Sequence, residues 1–368
     1  MLNEKTGKNE YALLILFLIL IPGSFAVRNV YEAIAPFGTL IMFFGLIIIY
    51  FMSTGLTLKP VVKKDFVTLA GIAAVIIAPV NLLILSSSLG AMLIIFDLVL
   101  LLTLVIRRSI SLSGRMKRIL SFLTAALMLL WYPVIRWDFG FNMVGLVFLI
   151  LLIFGEIIME YVKNDLELPY LKYVEILFFF TSILLAICYQ ARSAALSMAV
   201  FGIAFLLIPI ITEKKPLQYI WILLFTLGSI AFTLILPRIG ETGWNLRILY
   251  KDTLSGRELI WGELWSEFLK KPLTGIGSSY QMKSFFMFEV HNGLFDILTV
   301  HGILVFICIF CLLFKALKSL YSRDLIFCGD KRFAVSGIYA LLFASFFENC
   351  FIVTPYSLVF FILLLIAV

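Results

Sequence analysis

The chain's only two histidines lie ten positions apart in EVHNGLFDILTVHG, where a long polar segment gives way to an apolar one. An imidazole is the side chain that takes or gives a proton near neutral pH. His291, at the polar edge, is therefore the residue to read as a general base, with an interfacial helix cap as the competing use. His301 falls well inside the apolar run and reads as a hydrogen-bonded packing residue. Two arginines have the type and setting to grip anionic oxygens in a two-pronged fork. Arg257 opens a helix in SGRELIWGELW, where its charge opposes the helix dipole. A guanidinium beside unpaired N–H groups nevertheless makes a phosphate site. Arg192, in CYQARSAALSMAV, is the only cation in a turn of a few residues. Each arginine has a plainer reading: a solvated charge for Arg257 and a snorkelling side chain for Arg192.

The same scan limits the chemistry. The segment that precedes His291 has no Asp-x-Asp and no close carboxylate or histidine cluster, so no bound divalent metal is expected, and no cofactor. The five cysteines form no disulfide framework. Cys308 and Cys311 are a C-x-x-C inside FICIFCLLF and read as packing residues. Asp97, in LIIFDLVLLL, is costly in an apolar span unless partnered or protonated. It reads equally as a proton-relay group or as a hydrogen-bonded structural residue.

The elements that must position these groups are helices in a membrane. The chain is 62% hydrophobic and 15% aromatic, with a mean hydropathy of +1.10, against an apolar share of about 45–50% in soluble domains. The expected fold is all-α and polytopic. About twelve apolar runs of spanning length fall near residues 11–27, 33–52, 66–82, 89–106, 119–135, 143–161, 173–190, 194–211, 218–236, 291–314, 333–350 and 356–368. With the N-terminus inside, nineteen of the 29 Lys and Arg residues lie on the cytoplasmic side, and only Arg28, Arg136 and Arg192 occupy the short outer gaps, as the positive-inside rule requires. The net charge of +7 is this bias, so no nucleic-acid partner is expected. The opening MLNEKTGKNEYALLILFLILIPGSFAV has a signal-peptide look. The later spans and the parity of the charges favour its retention as the first helix.

Three segments follow: residues 1–236 with nine transmembrane helices, a long outer loop over 237–290, and residues 291–368 with three more. A loop of that length is usually functional. Within it Ser255 and Glu258 have capping-box spacing, Pro272 ends the helix they start, and Trp261, Leu264, Trp265 and Phe268 recur on one face. That amphipathic helix is expected at the membrane interface, or else as a roof on the bundle.

ARSAAL, SGRELIW through KKPLTGIG, and HNGLFDILTVHGIL, in that order, resemble the O-antigen polymerase and O-antigen ligase family. The resemblance covers residues 190–305 by motif. It implies glycosyl transfer at the outer face of a bacterial inner membrane, from a polyprenyl-diphosphate-linked oligosaccharide to a glycan acceptor. It implies that Arg192 and Arg257 hold the diphosphate and that His291 is the base; Asn292 and Arg247 are further candidates for substrate contact. A second glycine usual after Gly302 is missing near Val305. Glu348, in SFFENCF, only loosely matches an acidic position of the family. The chemistry agrees with the cast: a sugar diphosphate carries its own leaving group, which leaves charge neutralisation and one proton transfer to the protein. The reading is a polymerase of lipid-linked repeat units for a surface polysaccharide such as O-antigen, lipopolysaccharide or capsule. A ligase moving the finished glycan to a lipid or protein is the alternative. A polysaccharide flippase is a second one, opposed by the lack of two similar halves. A flippase and a chain-length regulator are the protein partners this reading admits.

Overall fold

In lipid a backbone N–H or C=O has no water to bond, so each long apolar run closes its own hydrogen bonds as a helix. The computed structural model describes residues 10–18, 20, 28–54, 65–85, 87–138, 141–242, 247–248, 251–252, 256–283, 290–350 and 352–368. After a helical stretch over residues 10–18 come α1 (Arg28–Thr54), α2 (Phe66–Leu85), α3 (Leu89–Ile106), α4 (Gly114–Asp138), α5 (Phe141–Leu166), α6 (Leu171–Cys188), α7 (Arg192–Glu213) and α8 (Lys215–Glu241). The remaining elements are a two-residue strand pair, β1 (Arg247–Ile248) with β2 (Lys251–Asp252), and then α9 (Arg257–Phe268), α10 (Gly293–Leu320), α11 (Asp324–Phe327), α12 (Gly329–Ala344) and α13 (Thr354–Ala367).

Among the described residues seven helices are long and apolar enough to cross a membrane: α2, α3, most of α5, α6, α7, α8 and α10. Phe37–Met52 of α1 and Tyr356–Ala367 of α13 are apolar but shorter. The chain is thus a multi-pass helical membrane protein. Of the about twelve expected runs, the one at 333–350 is met by α12, which at 16 residues is shorter than a full span. The eighth helix boundary moves: α8 continues through Pro237 to Glu241 instead of stopping at 236.

Burial separates helices that composition cannot. α13 is apolar on all sides and buried along its described length, whereas α6 turns Tyr173, Leu177, Phe180 and Leu184 outward. α12 runs antiparallel to α5, with Gly329 against Glu160 and Gly337 against Ile153, while Gly145 further along α5 meets Ala191 and Ala194 at the start of α7. The end of α12 therefore lies at the same end of the bundle as Arg192.

The amphipathic α9 is a roof. Its apolar stripe faces the protein, with Ile260, Trp261, Leu264 and Phe268 all buried and packed on α8 and α10, so the expectation of an interfacial helix is corrected. The reason is a better partner for the stripe: Trp261 packs edge-on against Phe232 at 5.7 Å and its Nε1–H finds a protein carbonyl. The helix starts after Gly256 at φ 86° without a side-chain cap, and Ser255 of the expected capping box lies outside the described residues.

The PLTGIG turn after α9 stitches a break in α10. At Gly302 the backbone leaves the helix, φ 86° and ψ 166°, which exposes carbonyls that must be paired again. Ile276 N–H donates to Thr299 O at 2.9 Å and Gly277 N–H to Val300 O at 3.0 Å. Asn81 Nδ2 donates to His301 O at 2.8 Å, and Ile303 N–H donates to Pro272 O at 2.9 Å. Ser278 and Ser279 tie the same turn to residues 85–88 between α2 and α3. A Cβ at Gly302 would stand 2.3 Å from Leu273 O, inside the backbone of the turn. Gly302→Ala is expected to cost at least about 1–3 kcal/mol from the φ/ψ region alone, and more from the clash, read as a lower thermal midpoint in detergent and reduced accumulation. Gly38→Ala, where an added Cβ meets nothing within 4 Å, should leave both near the parent. An unchanged midpoint for Gly302→Ala would contradict the joint.

Candidate active site

The site is assembled where α9, the start of α10 and the segment after α12 meet. Arg257 is the first residue of α9, and its Nη2 donates to Glu348 Oε1 at 2.6 Å. The other carboxylate oxygen, Oε2, lies 3.4 Å from His291 Nδ1. One carboxylate thus joins the two residues that the sequence singled out, each from a different element. Glu348 itself is 8% exposed, and the Arg257 and His291 side chains keep 16% and 25% of their surface exposed.

His291 is held by its backbone. Its φ of 54° is uncommon outside glycine, asparagine, aspartate and histidine, and such a conformation persists where neighbours over-determine it. On one side Trp261 Nε1 donates to Val290 O at 2.7 Å. On the other, Gly293 N–H donates to Ser345 O at 3.2 Å. Asn292 supplies the rest. Its Oδ1 caps α10 by accepting from Phe295 N–H at 2.9 Å and also accepts from Ser229 Oγ at 3.0 Å. Its Nδ2 donates to Phe346 O at 3.3 Å. The side chain is fully buried, and these bonds tie α8, α10 and the Glu348 segment at one point. Phe232, Phe346 and Phe347 form an aromatic floor beneath.

The loop is clamped to α9 as well. Tyr280 O–H and Lys283 N–H both donate to Glu263 Oε1, at 2.8 and 2.7 Å. Burial, with the Glu263 carboxylate beside it, pushes the Tyr280 phenol above its ordinary value. Lys270 and Lys283 hold the Glu267 carboxyl below its own. Away from the site, the Arg107 guanidinium grips Asp65 through two bonds, at 2.5 and 2.8 Å, and keeps that carboxyl well below the usual range.

Arg257 and His291 are brought together, and Arg192 stands at the first residue of α7, partly exposed, at the same end of the bundle. Arg247 lies in β1, but its side chain is outside the described residues. His301 is nearly buried beside the Gly302 break and away from this cluster's contacts. Asp97 is buried in α3, and its Oδ1 has no hydrogen bond. Glu348 is the member to which sequence reasoning gave no role. Its one local signal is an acid between phenylalanines in SFFENCF, since its partners lie 91 and some 57 positions upstream.

Residues 177–310 match the family model described as O-antigen ligase. That segment runs from within α6 to within α10 and holds Arg192, Arg257 and His291, while Glu348 reaches the site from beyond it. No curated protein and no solved structure matches the chain.

Proposed function

From the O-antigen ligase segment and the cluster it helps to build, we propose that the protein is a membrane glycosyltransferase that polymerises polyprenyl-diphosphate-linked oligosaccharide repeat units into a surface polysaccharide. The observation that carries this is the Arg257–Glu348–His291 arrangement, a guanidinium and an imidazole set side by side by one buried carboxylate. Arg257 and Arg192 neutralise the diphosphate as the glycosyl bond to it breaks. His291 takes the proton from the attacking hydroxyl. Glu348 on Nδ1 presents Nε2, on the far edge of the ring, to the acceptor, and the 3.4 Å contact is one that tightens as imidazolium charge develops. Glu348 is a positioning residue, and so is Asn292, whose amide is occupied in capping α10. No divalent metal has a part in this scheme, since the arginines supply the positive charge.

The site faces outward, with the loop over residues 237–290 outside a bacterial inner membrane, both chain ends inside and up to twelve spans between. In a background with the native cysteines replaced, cysteines at Lys251 and Lys283 are expected to react with an impermeant thiol reagent in intact cells. One at Arg115 is expected to react only after lysis. Labelling at Arg115 from outside would invert the topology.

The family description itself favours a second reading, a ligase that moves the finished glycan to a lipid or protein acceptor. Purified protein given only the lipid-linked repeat unit separates the two. A ladder of longer lipid-linked products is the polymerase result. Transfer that appears only when a separate acceptor is added makes the protein a ligase.

A further inference from the structure

At the opposite end of the bundle a second polar cluster has no part in glycosyl transfer. Glu160 of α5 and Glu175 of α6 share one ammonium: Lys163 pairs with Glu160 and lies 3.3 Å from Glu175. Asn164 Nδ2 adds a bond to Glu160 at 3.2 Å. Arg332, stacked over Phe205 at 4.1 Å, contributes its charge on the Glu160 side. Glu156, one turn before Glu160, is left over. It is 2% exposed, and its Oε2 has no hydrogen-bond partner. A buried carboxyl oxygen without a donor costs free energy, and Glu160 and Glu175 beside it make the place richer in acid.

Glu156 opens onto a cavity of about 580 Å³ walled by Phe179, Phe180, Phe201, Phe205, Leu206 and Phe333. Lys172 and Glu175 line it too. Lys172 is exposed and also lines, with Lys163, an adjoining hollow at the α5–α6 turn. The cavity lies against α6, the helix that turns most of its side chains outward. An apolar hollow on a lipid-facing helix takes an acyl chain, and the rim then selects the head group. Lys172 and Glu175 are three residues apart on one helix face, so their Cβ atoms are about 5–6 Å apart, and they offer one positive and one negative contact.

We propose that this cavity is a binding site for an aminophospholipid of the leaflet at the α5–α6 end, with its phosphate on Lys172, its primary ammonium between Glu175 and Glu156, and an acyl chain along the phenylalanine-lined wall. A head group with net negative charge brings no cation to the acids. A quaternary choline brings charge but no N–H for the orphan oxygen. The primary ammonium brings both.

The test uses the full-length protein, delipidated in neutral detergent and titrated with dioleoyl phosphatidylethanolamine, phosphatidylcholine or phosphatidylglycerol. Bound lipid is read by native mass spectrometry and thermal midpoint. Phosphatidylethanolamine is expected to bind at least about tenfold more tightly than either competitor, the scale of one charge-assisted hydrogen bond. Glu156→Gln, close to isosteric, should remove most of that preference, and Lys172→Gln, at an exposed rim position, should weaken all three lipids alike, because each carries the phosphate; binding that Lys172→Gln leaves at the parent's level also overturns the proposal. Equal binding of the three lipids, or a preference that survives Glu156→Gln, overturns the proposal. Because Lys172→Gln leaves the interior untouched, its result stands even if the Glu156 variant folds poorly.

Discussion

His291→Ala is expected to lower single-turnover transfer from a purified lipid-linked donor by on the order of 10²–10⁴-fold, while donor binding stays close to the parent. The loss is confined to turnover because the variant removes the proton acceptor and leaves Arg257 with its Glu348 partner at 2.6 Å. Glu348→Gln keeps the shape of the side chain but not its charge. It should fall between parent and His291→Ala in turnover while donor binding and accumulation stay at the parent's level, a split that a purely structural Glu348 would not show. His301→Ala is the control of the same residue type. It sits nearly buried beside the α10 break, so its expected cost is in stability. A folded His301→Ala that is inactive, with a His291→Ala that keeps most of its rate, would transfer the base role to the other histidine.

Arg257→Lys is expected to lose about 10²–10³-fold in turnover, the range for removing a donor that meets developing negative charge, and to appear in the membrane at parental levels. A lysine at 257 can still neutralise the Glu348 carboxylate, so a residue that served only that ion pair would be rescued by the conservative change. A residue that grips a diphosphate would not, because one ammonium cannot reproduce a planar fork with five donors. Arg192→Lys, at the same end of the bundle, should show its loss in donor binding as well as turnover. Parental activity in the double variant Arg192→Lys/Arg257→Lys would return both arginines to ordinary surface charges.

Both experiments depend on a site that was half legible. Arg257 and His291 stood out because each breaks a local rule: a cation opposes the dipole of a helix start, and a titratable ring stands at the edge of an apolar run. Glu348, an acid among phenylalanines, gave a local signal but no pointer to its partners. It lies 91 residues from Arg257, and no period or spacing connects them. Asn292 was legible as His291's neighbour but not as the residue whose amide ties three elements together. The two glycines of PLTGIG and the glycine of HGIL read as separate signals. They form one joint, since Gly275 and Gly302 each pass so near the other segment's backbone that an added Cβ would stand within 2.4 Å of a carbonyl oxygen.

The amino-acid sequence by itself determined that the chain is a helical membrane protein and where most of its apolar helices lie, because run length and hydropathy are local quantities and lipid leaves the backbone no other way to pair its polar groups. The order of motifs over residues 190–305 likewise carried the resemblance to the O-antigen polymerase and ligase family, and residues 177–310 match the model described as O-antigen ligase. Only the tertiary structure decided which apolar surfaces face protein. α13 and α6 are alike as strings of leucine and phenylalanine, yet one is core and the other is largely exposed. The stripe of α9 could have met lipid but met α8 and α10. The physical reason is that an apolar side chain gains little from exchanging lipid for protein, so hydropathy does not separate the two. Packing shape and the few polar bonds, such as Trp261 to Val290 and Arg257 to Glu348, do.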